Sequence, residues 1–569
     1  MAVSVGSFEQ SAVVHSHYLA LEPSGMCLAL IVEGQSNTLL RLCATKSAKK
    51  LFAERCGAVF AKQKFAPARE KRAGICGYGK SFSRRRGEFL FVKTCRVRLP
   101  SAIAYFTQER MKIFRMIPTK FLARMRDLFD DTEYAAFCAA LEAPAVRAFR
   151  VNTIKTTAER LLPLLPFEAK PLDFAPDAFY ATNEKVGALP AHHAGMLYMQ
   201  DPGAISTVAA ADLSHGMRVL DVCAAPGGKS TQLAAAIGTQ GVLVSNEYVP
   251  ARCRILQGNV ERMGAANTVV TNLASNALAD FFGACFDFVL VDAPCSGEGM
   301  LRKYEVAGEE WSEENVLLCA ARQREILSHA ARCVAPGGKL LYSTCTFSLE
   351  ENEQNVAHFL DTHPDFSLIP VAPAVVAVTA DGICVGGRDL TACRRFYPHL
   401  SPGEGQFLAL MARTPSSEKK SLPKSNALSP SRPETDTVTA LFAETLTQTP
   451  KGTLCRLRDS IFLVPDIPLP PVGVFAAGVC IGTLQKNRIE PHHQLYSAYG
   501  PLFRRKLHLS HSDPRTAQYL RGEEIDCPEL QNEKNGYACV FFEGAPLGGG
   551  KCVNGKLKNH YPKGLRNKT

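Results

Sequence analysis

Residues 219–230 read Val219-Leu220-Asp221-Val222-Cys223-Ala224-Ala225-Pro226-Gly227-Gly228-Lys229-Ser230, and this stretch decides the fold. An apolar run ends in an acidic residue, small residues and two glycines follow, and a helical pattern resumes over 231–237. That pattern is a buried strand, a tight turn and a helix whose first N–H groups face whatever lies on the turn. Gly228-Lys229-Ser230 matches the end of a phosphate loop, but the first glycine of GxxxxGK[ST] would fall at 223, which is Cys. Nor is there a GxGxxG pyrophosphate fingerprint. Taken alone, the loop also reads as a plain structural turn.

Outward from this stretch, apolar runs at 218–223, 241–246, 268–271, 286–291 and 339–343 read as buried parallel strands. The stretch 314–333 reads as a helix stopped by Pro336-Gly337-Gly338. Alternation of strands and helices over 201–413 predicts an α/β fold, a doubly wound Rossmann-like sheet. Ahead of it, 116–200 reads as helices and short strands, one of them at 148–154. Behind it, 414–435 is rich in Pro, Ser and Lys and reads as a flexible linker. A separate small β-rich domain is expected over 436–569. The length of 569 residues suits such a division, since it implies roughly three or four domains.

Hydrophobic content of 46% with 21% charged residues is ordinary globular composition and excludes wholesale disorder. No apolar run approaches the ~20 residues that cross a bilayer. The run at 26–32 is too short for a signal peptide and lacks a cleavage pattern. The 20 cysteines are scattered singly with no CxxC, which removes zinc-ribbon and dithiol redox motifs. Reduced core cysteines in a cytoplasmic protein, with no metal, are expected. The net charge of +11 is uneven: 1–115 holds 20 Lys/Arg against 7 Asp/Glu, 116–435 holds 28 against 35, and 436–569 holds 17 against 12. A polyanion would therefore be gripped at the ends. Residues 1–115, with Arg84-Arg85-Arg86, read as a basic RNA-binding arm, a targeting presequence, or a stretch ahead of a true start at Met111 or Met116. The last is favoured, because an amphipathic pattern begins only with Phe121, Leu122 and Met125.

Glu247 follows the second strand, where an acidic side chain holds ribose hydroxyls, and no arginine marks a ribose phosphate. A nucleoside cofactor without pyrophosphate, such as S-adenosylmethionine, fits; a plain surface carboxylate is the alternative. The fourth strand runs into Asp292-Ala293-Pro294-Cys295-Ser296-Gly297 and the fifth into Ser343-Thr344-Cys345-Thr346. In open α/β sheets ligands bind beyond the carboxyl ends of the strands, and neighbouring strands lie ~4.8 Å apart. Two thiols at equivalent strand ends would then face one cavity, although a single cysteine is more often buried and inert.

These segments resemble the Nop/Sun family of RNA cytosine-5 methyltransferases, and within it the RsmF type that modifies bacterial small-subunit (16S) ribosomal RNA. The likeness is carried by 221–230, 292–303 (DAPCSGEGMLRK), 311–327 (WSEENVLLCAARQREIL) and 341–352 (LYSTCTFSLEEN). Weaker matches lie at 147–155 (RAFRVNTIK), 200–202, 396–404 and 557–566 (LKNHYPKGLR). The resemblance covers 116–569. It implies a Rossmann-like methyltransferase sheet over 201–413, an N-terminal α+β RNA-binding subdomain over 116–200 and a C-terminal PUA-like RNA-binding domain over 436–569.

The same resemblance implies formation of 5-methylcytosine through a covalent cysteine–cytosine adduct at carbon 6, with S-adenosylmethionine as cofactor. Cys345 corresponds to the nucleophile, which is needed because carbon 5 of cytosine attacks a methyl donor only once a thiolate has added to carbon 6. Cys295 corresponds to the thiol that assists loss of the carbon-5 proton and release of product, and Asp292 to the carboxylate on base and cofactor. Cys223, Ala224, Ala225, Pro226, Gly227, Gly228, Lys229, Glu247, Arg252 and Asp292 correspond to the cofactor site. Arg150, Asn152 and Lys303 correspond to positions along the RNA path, with Lys558, Lys563 and Arg566 in a basic tail that also holds Lys551, Lys556, Lys568 and Tyr561.

One departure is that no acid follows the third strand to take the adenine amine, which leaves backbone groups, Asn272 or Ser275. A cytosine inside an A-form helix hides its carbon 6, so the target is single-stranded or is flipped out at a cost on the order of a few kcal/mol. The expected partner is small-subunit rRNA or the small ribosomal subunit, with no membrane and no metal, acted on by a monomer in the cytoplasm. The competing readings are a tRNA cytosine-5 methyltransferase, an enzyme using Cys295 as nucleophile in the manner of DNA methyltransferases, and a catalytically silent rRNA-binding assembly factor.

Overall fold

The computed structural model describes residues 15–20, 27–32, 117–182, 186–416, 422–486 and 488–567. The chain divides into two compact units, 1–109 and 110–569. In the first, the described residues form one antiparallel hairpin, His15–Ala20 against Cys27–Val32. Arg84-Arg85-Arg86, Met111 and Met116 lie outside the described residues, and with them the choice among the three readings of this segment.

A ten-stranded sheet organises the second unit. Its centre is five parallel strands: β1 (Arg218–Asp221), β2 (Val242–Asn246), β3 (Thr268–Thr271), β4 (Phe286–Asp292) and β5 (Val334–Thr344). They lie in the order β5-β4-β1-β2-β3. The chain winds outward from β1 to β3, then returns to the other side of β1 to form β4. The direction of winding thus switches between β1 and β4, where a crevice opens at the carboxyl ends. Every residue of β2 and β3 is buried, as strands covered by helices on both faces require. The sequence pattern is therefore realised as a doubly wound α/β sheet. Pro336-Gly337-Gly338, expected to end the preceding helix, instead lies inside β5, where the register against β4 shifts. Gly337 takes φ +78° there, a conformation cheap only for glycine. The helix itself, Glu313–Ala331, is capped by the Ser312 side chain, which accepts from Asn315 N.

Beyond β5 the sheet continues through strands antiparallel to their neighbours: β6 (Phe366–Ile369), β7 (Ala380–Asp381), β8 (Arg394–Phe396) and β9 (Gln406–Arg413), with β9 seated on β5. The opposite edge is closed by β10 (Val474–Ala477), antiparallel to β3.

Through this last pairing part of the stretch 436–569, ahead of its final five-stranded sheet, packs with the central sheet. Cys455, Phe462, Val464, Ile467, Leu469, Ala476 and Ala477 belong to the same hydrophobic core as β1–β5. The described part of the expected linker is tied down as well: Asn426 N donates to Leu469 O, and a helix begins at Arg432 behind a capping box of Ser431 and Glu434. The physical reason is the edge of β3, whose unpaired backbone groups need a partner.

The region before the sheet is a four-stranded antiparallel sheet, with Ala148–Val151 and Ala175–Ala181 as its inner strands and Leu197–Met199 at one edge. Phe149, Val151 and Leu197 share a core with Leu507, Val540 and Leu557 of the last five-stranded sheet. Lys155 crosses all three regions: its Nζ lies 2.9 Å from Ala194 O, 2.9 Å from Arg262 O, 2.8 Å from Ser497 Oγ and 3.1 Å from Pro546 O. Burial, reinforced by the Arg262 charge, pushes its pKa down to about 7.

Lys155→Met leaves these buried acceptors unmatched, and we expect a loss of about 2 kcal/mol, seen as a lower Tm in calorimetry. Between about pH 7 and 10 the unfolded chain holds a proton on Lys155 that the folded chain has released. The stability of the wild-type protein relative to Lys155→Met should therefore rise across that window.

Candidate active site

At the carboxyl ends of β1 and β4 lies a cavity of about 550 Å³, lined by the turn after β1, by residues 198–201 and by Asp292, Met300 and residues 302–304. Asp221, fully buried, ends β1. Its Oδ2 accepts from Ser230 Oγ at 2.6 Å, while Oδ1 has no partner among the described residues. Burial pushes this carboxyl up to about 7. A buried carboxylate oxygen without a partner in a cavity wall is suited to a donor from a bound molecule.

The turn is shaped by Gly227 at φ +111°, where a Cβ would also press on Leu256 and Asn259. It is held from the next helix, Pro250–Met263: Arg252 donates to Ala225 O at 2.8 Å, and Asn259 Nδ2 to Pro226 O at 2.9 Å. Arg252 also pairs with Glu247 at 3.3 Å. Glu247 is buried at the end of β2, and one of its oxygens accepts from Val249 N. Asn272 spends both amide hydrogens on the carbonyls of Glu247 and Tyr248, leaving only its oxygen for an adenine amine. Ser275 is bonded to His329. The unmatched Asp221 oxygen, the small-residue turn and the Glu247 carboxylate fit a nucleoside cofactor with an amino-acid end.

The two thiols meet. Cys295 Sγ and Cys345 Sγ are 3.1 Å apart, both half-buried, because the adjacent strands β4 and β5 set Asp292 beside Ser343. Contact with Cys345 first, and burial second, pushes the Cys295 thiol well above its ordinary value, so at neutral pH this sulfur keeps its proton. Lys229 Nζ sits 2.8 Å from Asp292 Oδ2. Burial works to lower the Lys229 pKa, but Asp292, with smaller contributions from Cys345 and Asp221, outweighs it and raises the value overall. Lys229 therefore stands with the thiols and Asp292 as well as on the cofactor turn, a proximity that its sequence position does not reveal.

Residues that sequence reasoning passed over hold the thiols in register. Fully buried Glu298 accepts from Trp311 Nε1 at 2.9 Å, Ser348 Oγ at 2.6 Å, Thr346 Oγ1 at 2.9 Å and Phe347 N at 2.9 Å. Ser296 and Thr346 share a hydrogen bond of 2.9 Å, and Gly299 N donates to Cys345 O at 2.9 Å. A Cβ at Gly299 would lie 2.9 Å from that carbonyl and 2.8 Å from Gly405 O. Glu351 accepts from Ser296 N at 3.0 Å and Gln323 Nε2 at 2.7 Å, and burial pushes it up to about 7. The sequence carries no local signal of this burial, since Glu298 stands between two glycines and Glu351 within the polar run 350–355.

Two positions expected on the RNA path are corrected. Arg150 is 4% exposed and donates to Gln200 Oε1, Gly228 O and Thr231 Oγ1, bracing the cofactor turn from behind. Asn152 is 1% exposed and donates to Gly195 O and Met263 O. Both lie on or just after an inner strand, so their donors are spent inside the protein. Tyr561 is likewise buried, bonded to His193 at 2.9 Å, and offers no aromatic surface. Lys303 lines the cavity with its Nζ 2.7 Å from Asp201. Lys558 and Lys563 are exposed, and Arg566 is half-buried against Tyr561 O. Lys568 lies outside the described residues.

Among known families, the N-terminal domain of the 16S rRNA methyltransferase RsmF matches residues 117–202, the 16S rRNA methyltransferase RsmB/F domain matches 208–412, and the RsmF PUA domain matches 506–567. Ribosomal RNA small subunit methyltransferase F of Klebsiella pneumoniae (strain 342) is 31% identical over 478 residues, spanning 79% of this chain and 96% of its own. The protein of the same name from Vibrio vulnificus (strain YJ016) is 29% identical over 485 residues, spanning 79% and 97%. A solved methyltransferase homologue from Pyrococcus horikoshii is 26% identical and covers 54% of this chain and 99% of its own, with a TM-score of 0.46.

The sulfur–sulfur contact carries its own test. Diamide, as two-electron oxidant, should join Cys295 to Cys345 with loss of two hydrogens. Peptide mapping should find that crosslink ahead of any among the buried cysteines, and dithiothreitol should reverse it.

Proposed function

The chain belongs to the family of 16S rRNA methyltransferases of the RsmB/F type, and from that premise we propose that it forms 5-methylcytosine in small-subunit rRNA with S-adenosylmethionine as donor. The observation that carries this reading is the contact of Cys295 with Cys345 beside the Lys229–Asp292 pair. A methyltransferase acting on an oxygen or an amine needs no pair of thiols, whereas cytosine carbon 5 becomes nucleophilic only after sulfur has added to carbon 6.

In this reading the turn after β1 would hold the cofactor, with Glu247 for its ribose and Asp221 for its amino-acid end, and the bound donor would supply an electrophilic methyl group. Cys345 bonds to cytosine carbon 6 through its sulfur, its thiol proton passing to solvent. Asp292, oriented by Lys229, accepts from the amino edge of the base and stabilises charge that develops on the ring. Carbon 5 takes the methyl group, its proton then leaves to a base, and the bond from sulfur to carbon 6 breaks. Cys295 suits the role of that base. The neighbouring Cys345 is the largest cause of its raised proton affinity, and that cause disappears once Cys345 is bonded to carbon. Once the adduct has formed, Cys295 passes its own proton to solvent, and its sulfur then takes the one on carbon 5. RNA is gripped outside the acidic middle of the chain, at exposed Lys558 and Lys563 of the PUA domain. The cytoplasm is the compartment where such a substrate is met.

Cys345→Ala should abolish methyl transfer by a factor of at least about 10³. Cys295→Ala should trap a protein–RNA adduct that survives denaturing electrophoresis. Bisulfite sequencing of rRNA and tRNA from cells with and without the gene should show one or more cytosines in small-subunit rRNA losing protection, with tRNA unchanged.

A further inference from the structure

Most of the residues that line the cavity are buried or half-buried; the exposed ones are Arg147, Pro226 and Tyr304, which define its rim. Tyr304 is 60% exposed. Among the described residues its ring stacks on no other aromatic side chain and its hydroxyl has no hydrogen-bond partner, so folding gives no reason for an aromatic side chain at that point. It is fixed through its backbone, where Tyr304 N donates to Met300 O, and it opens the short helix Glu305–Glu310. Arg147 stands one residue before the strand Ala148–Val151. It is exposed, whereas Arg150, three positions later, is turned inward. Inside the cavity Lys229 pairs with Asp292 and Lys303 with Asp201, which suits a neutral base.

We propose that Tyr304 is the stacking platform for an RNA base next to the target cytosine, and that Arg147 holds the phosphate beside it at the cavity mouth. The inference rests on the RNA methyltransferase reading above and deepens it. A single-stranded segment is held by an aromatic face together with a cation tracking the backbone, and a base taken out of its stack leaves a neighbour whose exposed face needs a new partner. Tyr304 supplies the face and Arg147 the cation, on the only two rim segments that carry these groups among the described residues.

The test uses the full-length protein and unmodified small-subunit rRNA from cells lacking the gene. Tyr304→Ala should raise KM for RNA about ten- to a hundred-fold and leave KM for S-adenosylmethionine unchanged. Tyr304→Trp and Tyr304→Phe should restore it, and Tyr304→Leu should not, which separates stacking from apolar packing. In fluorescence anisotropy with a labelled single-stranded oligoribonucleotide, Arg147→Ala should lower the slope of log affinity against log salt by about 0.7, whereas Tyr304→Ala should weaken binding without changing the slope. An unchanged KM for RNA in Tyr304→Ala, or full restoration by leucine, overturns the proposal. If the wild-type protein forms no 5-methylcytosine, the functional reading itself fails, and the anisotropy arm still decides whether this rim binds RNA.

Discussion

Four hydrogen bonds onto one buried carboxylate hold the active site together. Glu298 gathers Trp311, Thr346, Phe347 and Ser348 around itself, and so ties the loop after β4 to the loop after β5. Each loop carries one thiol, and neither strand on its own fixes the distance between them. Burying a carboxyl group costs free energy that hydrogen bonds offset, so the bonds that offset this cost also set the register of the sulfurs. Glu351 makes a second tie of the same kind, through Ser296 N and Gln323. Close approach of Gly299 to the Cys345 carbonyl leaves no room for a side chain between the loops. The placement of two sulfurs 3.1 Å apart thus depends on groups that lie behind them in the protein interior.

The rest of the second unit serves that crevice from a distance. The antiparallel sheet around Ala148–Val151 presses Arg150 against the back of the cofactor turn and brings Arg147 to the front. The C-terminal sheets close one edge of the central sheet and share a core with that same N-terminal sheet. RNA-binding surface and catalytic sheet are therefore parts of one packed body rather than beads on a string. Lys155, bonded to carbonyls or hydroxyls from all three regions, marks the point where they meet.

What the sequence disclosed, and what it hid, follows from the range of the interactions. The five parallel strands are local: a short apolar run flanked by small and polar residues is buried wherever it sits, and the cysteines follow from where the fourth and fifth runs end. Residues that depend on distant partners were not legible. Arg150 and Asn152 look like RNA contacts until Gly228 and Met263 are seen to accept their hydrogens. Tyr561 sits among lysines in sequence, yet its hydroxyl is bonded to His193. Glu298 and Glu351 drew no notice in the sequence because burial of a carboxylate is decided by donors from other loops. The pairing of Val474–Ala477 with β3 leaves no local pattern at all, since its cause is an open edge formed two hundred residues earlier, roughly the span of a whole domain.

That distant pairing bears on how the polypeptide is made. β3 leaves the ribosome long before Val474–Ala477 has been synthesised, so during elongation an apolar strand stands with its backbone groups unmatched, available to any extended segment nearby. Contacts so far apart in sequence also form slowly. Maturation of this polypeptide must wait for its last quarter, and a chaperone shielding that strand edge would guard the interval in which premature association is most damaging.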